Sequence, residues 1–151
     1  MKIYLDTSVP SACLDASHPE RQEATTTFWR LLRSHSPHVS TLVIEEMELT
    51  PDRLRRRRLP ALVSGWPRLR VNLSAVRELA DGYLELAALP PRAEADAIHV
   101  ATATVHGISL VVSWNLRDMV NVQTRARVNA VNALHGYPAI ELVTPPMLGW
   151  R

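Results

Sequence analysis

The chain has a single cysteine, Cys13, and a single lysine, Lys2, among its 151 residues. One cysteine excludes an internal disulfide framework and predicts a reducing compartment. Membrane-length apolar runs are missing too. The longest stretch without Asp, Glu, Lys or Arg takes in all of Ile98–Leu116, and it contains His99, His106, Gly107 and several Ser and Thr. It reads as a helix followed by a strand, not as a span. Asp6 interrupts the N-terminus before an apolar segment could form, so no signal peptide is expected and the domain is placed in the cytoplasm. The sequence holds no Gly-x-x-x-x-Gly-Lys-Ser/Thr loop and no Gly-x-Ser-x-Gly elbow, which excludes a phosphate-loop triphosphatase and a serine hydrolase of that type. Phosphatases and phosphotransfer receivers that use an Asp after the first strand usually need a Lys on a later strand, and none follows Lys2. Zinc finds no His-Glu-x-x-His, and the six His are scattered.

What remains is a composition of 46% hydrophobic and 21% charged residues, that of one globular domain over residues 1–151. A chain of this size hides roughly 68–70% of its unfolded surface, enough for a core without staples. Seventeen basic residues stand against fifteen acidic ones, a net charge of +2, and all the basic residues but Lys2 are Arg. Arg forks onto phosphate better than Lys does, so nucleic acid is a permitted partner.

Lys2–Leu5 is a β-prone run ending at Asp6-Thr7-Ser8, a helix-start signal. Glu20–Arg33 reads as a helix, with Ala24, Phe28, Leu31 and Leu32 on one face. A strand near His38–Ser40 leads to Thr41, the expected cap of a helix over Leu42–Leu49, and a second helix follows over Arg53–Leu59. Leu69–Leu73 reads as a strand, and Ser74 is the expected cap of a helix reaching about Leu89, before Pro90-Pro91. Ala93–His106 is a helix closed by Gly107, and Ile108–Ser113 a buried strand. Asn121–His135 is the last helix, closed by Gly136, and Ile140–Val143 the last strand. This alternation predicts one α/β domain with a central, mostly parallel sheet flanked by helices. Such sheets carry their chemistry at the carboxyl ends of the strands.

Four acids fall where that edge should be. Asp6 ends the first strand, and Glu46 shares a helix face with Leu42, Val43 and Leu49. Asp96 opens an Ala-rich helix, and Asp118 follows the strand Ile108–Ser113 by a short turn. Taken singly, Asp6 is an ordinary helix cap and Asp96 a carboxylate on a helix dipole, worth about 0.3–1 kcal/mol. Together they would repel one another unless something positive sat among them. A hard cation, Mg²⁺ or Mn²⁺, answers that need with oxygen ligands. His99 shares a face with Asp96 and is expected to support the site or the core.

The segments "MKIYLDTSVPSA", "VSTLVIEEMEL" and "EADAIHVATATVHGISLVVSWNLRDMV" resemble the three signature segments of PIN-domain ribonucleases, especially VapC-type toxins. With the tail they cover nearly the whole chain in the family's order. The resemblance implies a parallel sheet, a carboxylate-lined metal site and cleavage of single-stranded RNA. It carries the family's acids to Asp6, Glu46, Asp96 and Asp118, and its small polar residue to Ser8. It further implies a small cognate antitoxin and a homodimer. Ser113, Asn115 and Arg117 lie beside the fourth acid as supporting or substrate-facing residues. Three points depart from the pattern or leave it open. Asn115 occupies the nearer of two positions that can hold the fourth acid, and Met119 replaces the usual aromatic residue. Glu45 adjoins Glu46, and the six-residue spacing from Ser40 selects Glu46.

Arg53 and Arg55–Arg58 form the densest charge run, a solvated face or a patch that steers phosphate. Arg117, Arg125 and Arg127 lie nearer Asp118 and are the better candidates to grip RNA. Of the four tryptophans, Trp29 is expected in the core, Trp66 and Trp150 could stack on bases, and Trp114 is the one placed to touch RNA. The rival reading is a PIN-like module that binds RNA or protein without cleaving it.

Overall fold

Each strand of the protein is short and ends on or just before a polar residue, and a helix comes before the next strand begins. The computed structural model describes residues 1–148. In chain order its elements are β1 (Lys2–Leu5), α1 (Ser8–Cys13), α2 (Pro19–Leu31), a 3-10 turn at Leu32–Ser34, β2 (Ser36–Ser40), α3 (Thr41–Glu48) and α4 (Arg53–Leu62). There follow β3 (Arg68–Leu69), α5 (Ser74–Glu85), a 3-10 turn at Pro91–Ala93 and α6 (Glu94–Val105). The chain then runs through β4 (Leu110–Val112), α7 (Val122–Leu134), β5 (Glu141–Val143) and α8 (Pro145–Leu148). Five parallel strands form one sheet in the order β3-β2-β1-β4-β5. The described residues form one α/β domain.

Alternation along the strands sorts the core into two layers. Ile3, Leu5, Leu110, Val112 and Val143 point to one face, against Val9 of α1 and Phe28 of α2. Tyr4, Val39, Val111 and Leu142 point to the other, against residues of α3 to α7 such as Met47, Leu59, Leu79, Ala101 and Val128. Helices therefore cover both faces, as an all-parallel sheet requires. The chain turns to opposite sides of β1 when it forms β2 and β4. That is a topological switch point, where a crevice opens beyond the strand ends.

Four local expectations are corrected. The strand expected over Leu69–Leu73 pairs only through Leu69, because its partner β2 ends at Ser40, opposite Leu69, where α3 begins. Ser40, not Thr41, caps α3: its backbone is still extended (φ −127°, ψ 170°) and its Oγ accepts from the Val43 amide at 3.3 Å. Ser74 caps nothing and is the first residue of α5, a helix that stops at Glu85 well short of Leu89. Finally, α4 runs through Pro60 to Leu62, since a proline in the last turn forfeits only the bond to the Arg56 carbonyl. Among the described residues no helix is long and apolar enough to cross a membrane.

Candidate active site

Asp6 is placed by strand register. Leu5 lies opposite Val112, so the next residue on each strand, Asp6 and Ser113, also stand side by side. The Asp6 carboxylate is only 4% exposed. It accepts the Ser113 hydroxyl at 2.6 Å, the Ser8 amide at 3.1 Å and the Ser8 hydroxyl. Each serine oxygen in turn accepts a backbone amide of the turn after β4, from Trp114 and Asn115, both at 2.9 Å. Two hydroxyls thereby lock the turn onto the carboxylate. Burial pushes the Asp6 carboxyl up from its ordinary value, against the opposing pull of His99 and the two serines.

Glu46 lies on α3 and faces inward, whereas its neighbour Glu45 is exposed. Its Oε1 accepts the Thr7 hydroxyl at 2.6 Å and His99 Nε2 at 2.7 Å. His99 on α6 is 2% exposed, and its Nδ1 lies 2.6 Å from the Tyr4 hydroxyl. Tyr4 has one hydroxyl hydrogen and donates it to Ser40 at 2.8 Å, so Nδ1 donates to the phenol oxygen. Both ring nitrogens then donate, which is the imidazolium form. Burial disfavours that charge, but the Glu46 hydrogen bond and the charges of Asp6, Glu46 and Asp96 outweigh it, and the imidazole sits above its ordinary value. Burial likewise acts against the Glu46 carboxylate, and His99 and Thr7 together hold it below the usual range. One chain of bonds thus runs Thr7–Glu46–His99–Tyr4–Ser40, half-buried at Thr7 and Glu46 and buried from His99 on, tying the start of α1 to α3, α6, β1 and β2.

Asp96 occupies the first turn of α6, where its Oδ2 accepts the Asn115 amide at 2.9 Å. Its carboxyl is pushed up to about 6, first by burial, then by the charge of Asp6, with Asp118 and Glu46 adding to it against His99. Asp118 is held differently. Its Oδ1 meets the Arg92 guanidinium at 2.7 Å, and its amide donates to Asn115 Oδ1 at 3.0 Å. Asn115 therefore bridges the third and fourth acids by using both ends of its amide.

The structure thus brings Asp6, Glu46 and Asp96 to one strand edge, with Asp118 beside them facing Arg92. Among the described residues, no three His, Cys, Asp or Glu side chains lie close enough to form a ready ligand group. An all-oxygen set with surplus negative charge still fits a hard cation that keeps several waters and takes one or two carboxylates directly. Glu46 and Asp96 suit this, since the protein anchors Oε1 of one and Oδ2 of the other and leaves their second oxygens without a protein partner among the described residues.

The basic and aromatic candidates divide. Arg117 is exposed beside Asp118, and Arg127 is exposed on α7, whereas Arg125 is paired with Glu141 at 3.0 Å. In the α4 run, Arg55 and Arg56 brace the backbone carbonyls of Leu14 and Thr50, while Arg53, Arg57 and Arg58 are exposed. Trp29 and Trp66 stack on each other with ring centroids 5.2 Å apart. Trp114 donates from Nε1 to Thr25 and carries the Arg21 guanidinium 4.9 Å from its ring centroid, so it serves to anchor the turn. Trp150 lies outside the described residues. Sequence reasoning missed Thr7, Tyr4 and Arg92. None of the three carried a local signal, because each acts through a partner distant in sequence, Arg92 on Asp118 across 26 residues.

A parallel sheet with helices on both faces defines an α/β protein, here with acids gathered at the carboxyl ends of its central strands. The PIN domain family model matches residues 3–119, and the chain belongs to that family. The fold is accordingly of nuclease type. The matched segment runs from β1 through the turn after β4 and includes all four acids. No curated protein is a significant match to the chain.

Proposed function

We propose that the protein is an Mg²⁺- or Mn²⁺-dependent endoribonuclease that hydrolyses phosphodiester bonds of single-stranded RNA. The observation that carries this reading is the convergence of negative charge on Asp96, whose carboxyl burial and the Asp6, Asp118 and Glu46 charges together push to about 6. Asp96 is the residue to hold the ion directly, through the oxygen Asn115 leaves free, with Asp6, Glu46 and Asp118 completing the set. When bound, the ion supplies acidification of a water and stabilisation of charge on the phosphoryl oxygens. The chain's own groups do the rest. Ser8 and Ser113 fix the Asp6 carboxylate, and Asn115 fixes Asp96. His99 holds Glu46 by one oxygen and leaves the other to accept a hydrogen from the attacking water, which orients it toward phosphorus. No side-chain nucleophile is required.

The same reading makes the protein the toxin of a toxin–antitoxin pair. It would work in the cytoplasm as a homodimer and be held in check by a small antitoxin protein. Its support is the match of three segments to the VapC-type pattern, and a short reading frame beside the gene is the observation that tests it. The nuclease reading is tested with purified protein. Single-stranded RNA is expected to be cut with Mg²⁺ or Mn²⁺ and left intact in EDTA. Cleavage that survives both EDTA and Asp96→Asn would overturn the metal-dependent mechanism. A non-catalytic binding module has one observation in its favour, the neutralisation of Asp118 by Arg92. RNA binding without turnover in Mg²⁺ would select it.

A further inference from the structure

A groove of about 540 Å³ adjoins the acids and is not used by the mechanism above. One wall is the connection from α5 to α6, with Pro90 and Arg92. The other is the turn after β4 and the first two turns of α7, with Arg117, Asp118, Gln123 and Arg127. Asp118 belongs to the groove and also acts on Asp96, so a strand whose phosphate reaches the acids continues directly into the groove.

The charges of the lining are arranged unequally. Arg92 is neutralised by Asp118, the one acid in the lining. Arg117 and Arg127 have no acidic partner within 4.0 Å among the described residues. On the same helix, Arg125 points elsewhere and is paired with Glu141. The free guanidinium groups of α7 and its preceding turn are thus the two that line the groove. An unpaired guanidinium presents the planar fork that matches a phosphate. The exposed Gln123 amide makes no hydrogen bond with the described residues and can both donate to and accept from a base edge. The volume falls within the roughly 300–1,000 Å³ typical of sites for small organic ligands.

We propose that this groove is a nucleotide subsite. It seats the nucleotide of single-stranded RNA that adjoins the phosphodiester held at the acids, with Arg117 and Arg127 on its phosphates and Gln123 on its base. Its place beside a cleavage site rests on the nuclease reading; its affinity for the strand does not.

The test is fluorescence anisotropy with a short fluorescein-labelled single-stranded RNA in EDTA, titrated at several salt concentrations. The double variant Arg117→Ala/Arg127→Ala, altered only at exposed positions, is compared with wild type and with Arg53→Ala/Arg57→Ala on α4. For single strands each lost phosphate contact lowers the slope of log K against log salt by about 0.7, so the groove variant is expected to lose about 1.4. The α4 variant is expected to keep the wild-type slope, and Arg117→Lys/Arg127→Lys to recover most of it. Gln123→Ala should keep the slope and change the ranking among U-, A- and C-rich RNAs. Loss of slope confined to the α4 variant, loss in neither variant, or no binding by wild type overturns the proposal. A wild type that binds with the expected slope but never cuts RNA in Mg²⁺ defeats the nuclease reading and leaves the groove in place. Cleavage with an unchanged slope in the groove variant does the reverse.

Discussion

The floor and the rim of the acidic site are built on different principles. On the floor, Asp6 is buried at the end of β1 and takes three hydrogen bonds from Ser8 and Ser113. Those serines are fixed in turn by backbone amides, so the carboxylate cannot move without unmaking the turn after β4. On the rim, Asp118 answers to one arginine that is half in solvent, and that guanidinium can swing away into water. The floor is preorganised by strand register, the rim by charge. An acid held in low dielectric keeps its geometry whatever the solvent does, while an acid whose charge partner stands in solvent can exchange that partner for what arrives.

The largest effects are expected on the floor. Asp6→Asn and Asp96→Asn should each cost orders of magnitude in RNA cleavage, because acids that share one ion act as a unit. Asp96→Asn should at the same time raise the melting temperature in EDTA, since it removes a charge that Asp6, Asp118 and Glu46 all oppose. A variant that loses activity and melting temperature together would mean Asp96 holds the fold rather than the ion.

Next comes the wall between floor and rim. Glu46→Gln should remove most activity, whereas Glu45→Gln on the exposed side of α3 should leave it close to wild type. His99→Gln is expected to lower kcat with little change in KM, because it frees Glu46 without touching RNA. A rise in KM alone would place His99 in substrate binding.

Burial, with charge repulsion added to it, also gives the site a pH signature. The Asp96 carboxyl lies at about 6 in the folded protein against an ordinary value of 3.8. Folding therefore favours its protonated form. That contribution to stability is complete below about pH 3.8 and disappears as pH rises through about 6. The other charges facing Asp96 are Asp6, Glu46, Asp118 and the His99 imidazolium. A bound divalent ion reverses the preference by stabilising the carboxylate. Added Mg²⁺ should raise the melting temperature more at pH 7.5 than at pH 5, and Asp96→Asn should flatten the difference. Equal shifts at both pH values would separate Mg²⁺ binding from Asp96.

The rim should respond least to removal of its acid. Asp118→Asn is expected to slow cleavage several-fold and weaken Mg²⁺ binding modestly, because water can take the place of a peripheral ligand. Asn115→Ala should do more harm, since it releases Asp96 and the Asp118 amide together. An Asp118→Asn enzyme equal to wild type in rate and in metal titration would leave three acids in the set.

Sequence made the floor legible and the rim obscure, for a physical reason. Asp6, Ser8, Glu46 and Asp96 sit at element ends or on helix faces, where local periodicity says which way a side chain points. Arg92, Thr7 and Tyr4 acquire their roles from contacts across 26, 39 and 95 residues, and no local pattern encodes such pairings. The helix ends teach the same lesson more sharply. Three helices, α5, α6 and α7, close on one geometry, in which the second residue beyond the helix cap bonds to the carbonyl five residues earlier and the first adopts positive φ. In α6 and α7 that first residue is Gly107 (φ 78°) or Gly136 (φ 80°), and both ends were read from the sequence. In α5 it is Ala87, with φ 57°, and the expected helix overran to Leu89.

Ala87 supplies the smallest and cleanest test of the difference between floor and rim. Its amide donates to the Leu84 carbonyl at 3.2 Å, and the Ala88 amide to the Tyr83 carbonyl at 2.8 Å, so the closing bonds of α5 are made in full despite an unfavourable residue. A left-handed conformation costs a residue with a Cβ roughly 1–2 kcal/mol, and glycine avoids that cost while losing some unfolded-state restriction. Ala87→Gly should therefore stabilise the protein by about 0.5–1 kcal/mol in urea unfolding, with no change in slope. The exposed methyl faces the groove beside Arg92, so the substitution leaves every acid and its anchors intact. Cleavage of RNA should remain at the wild-type rate. A gain in stability with a loss in rate would mean that the strained turn sets the position of Arg92 and, through it, of Asp118. The rim would then be held by its backbone as the floor is, and not by charge alone.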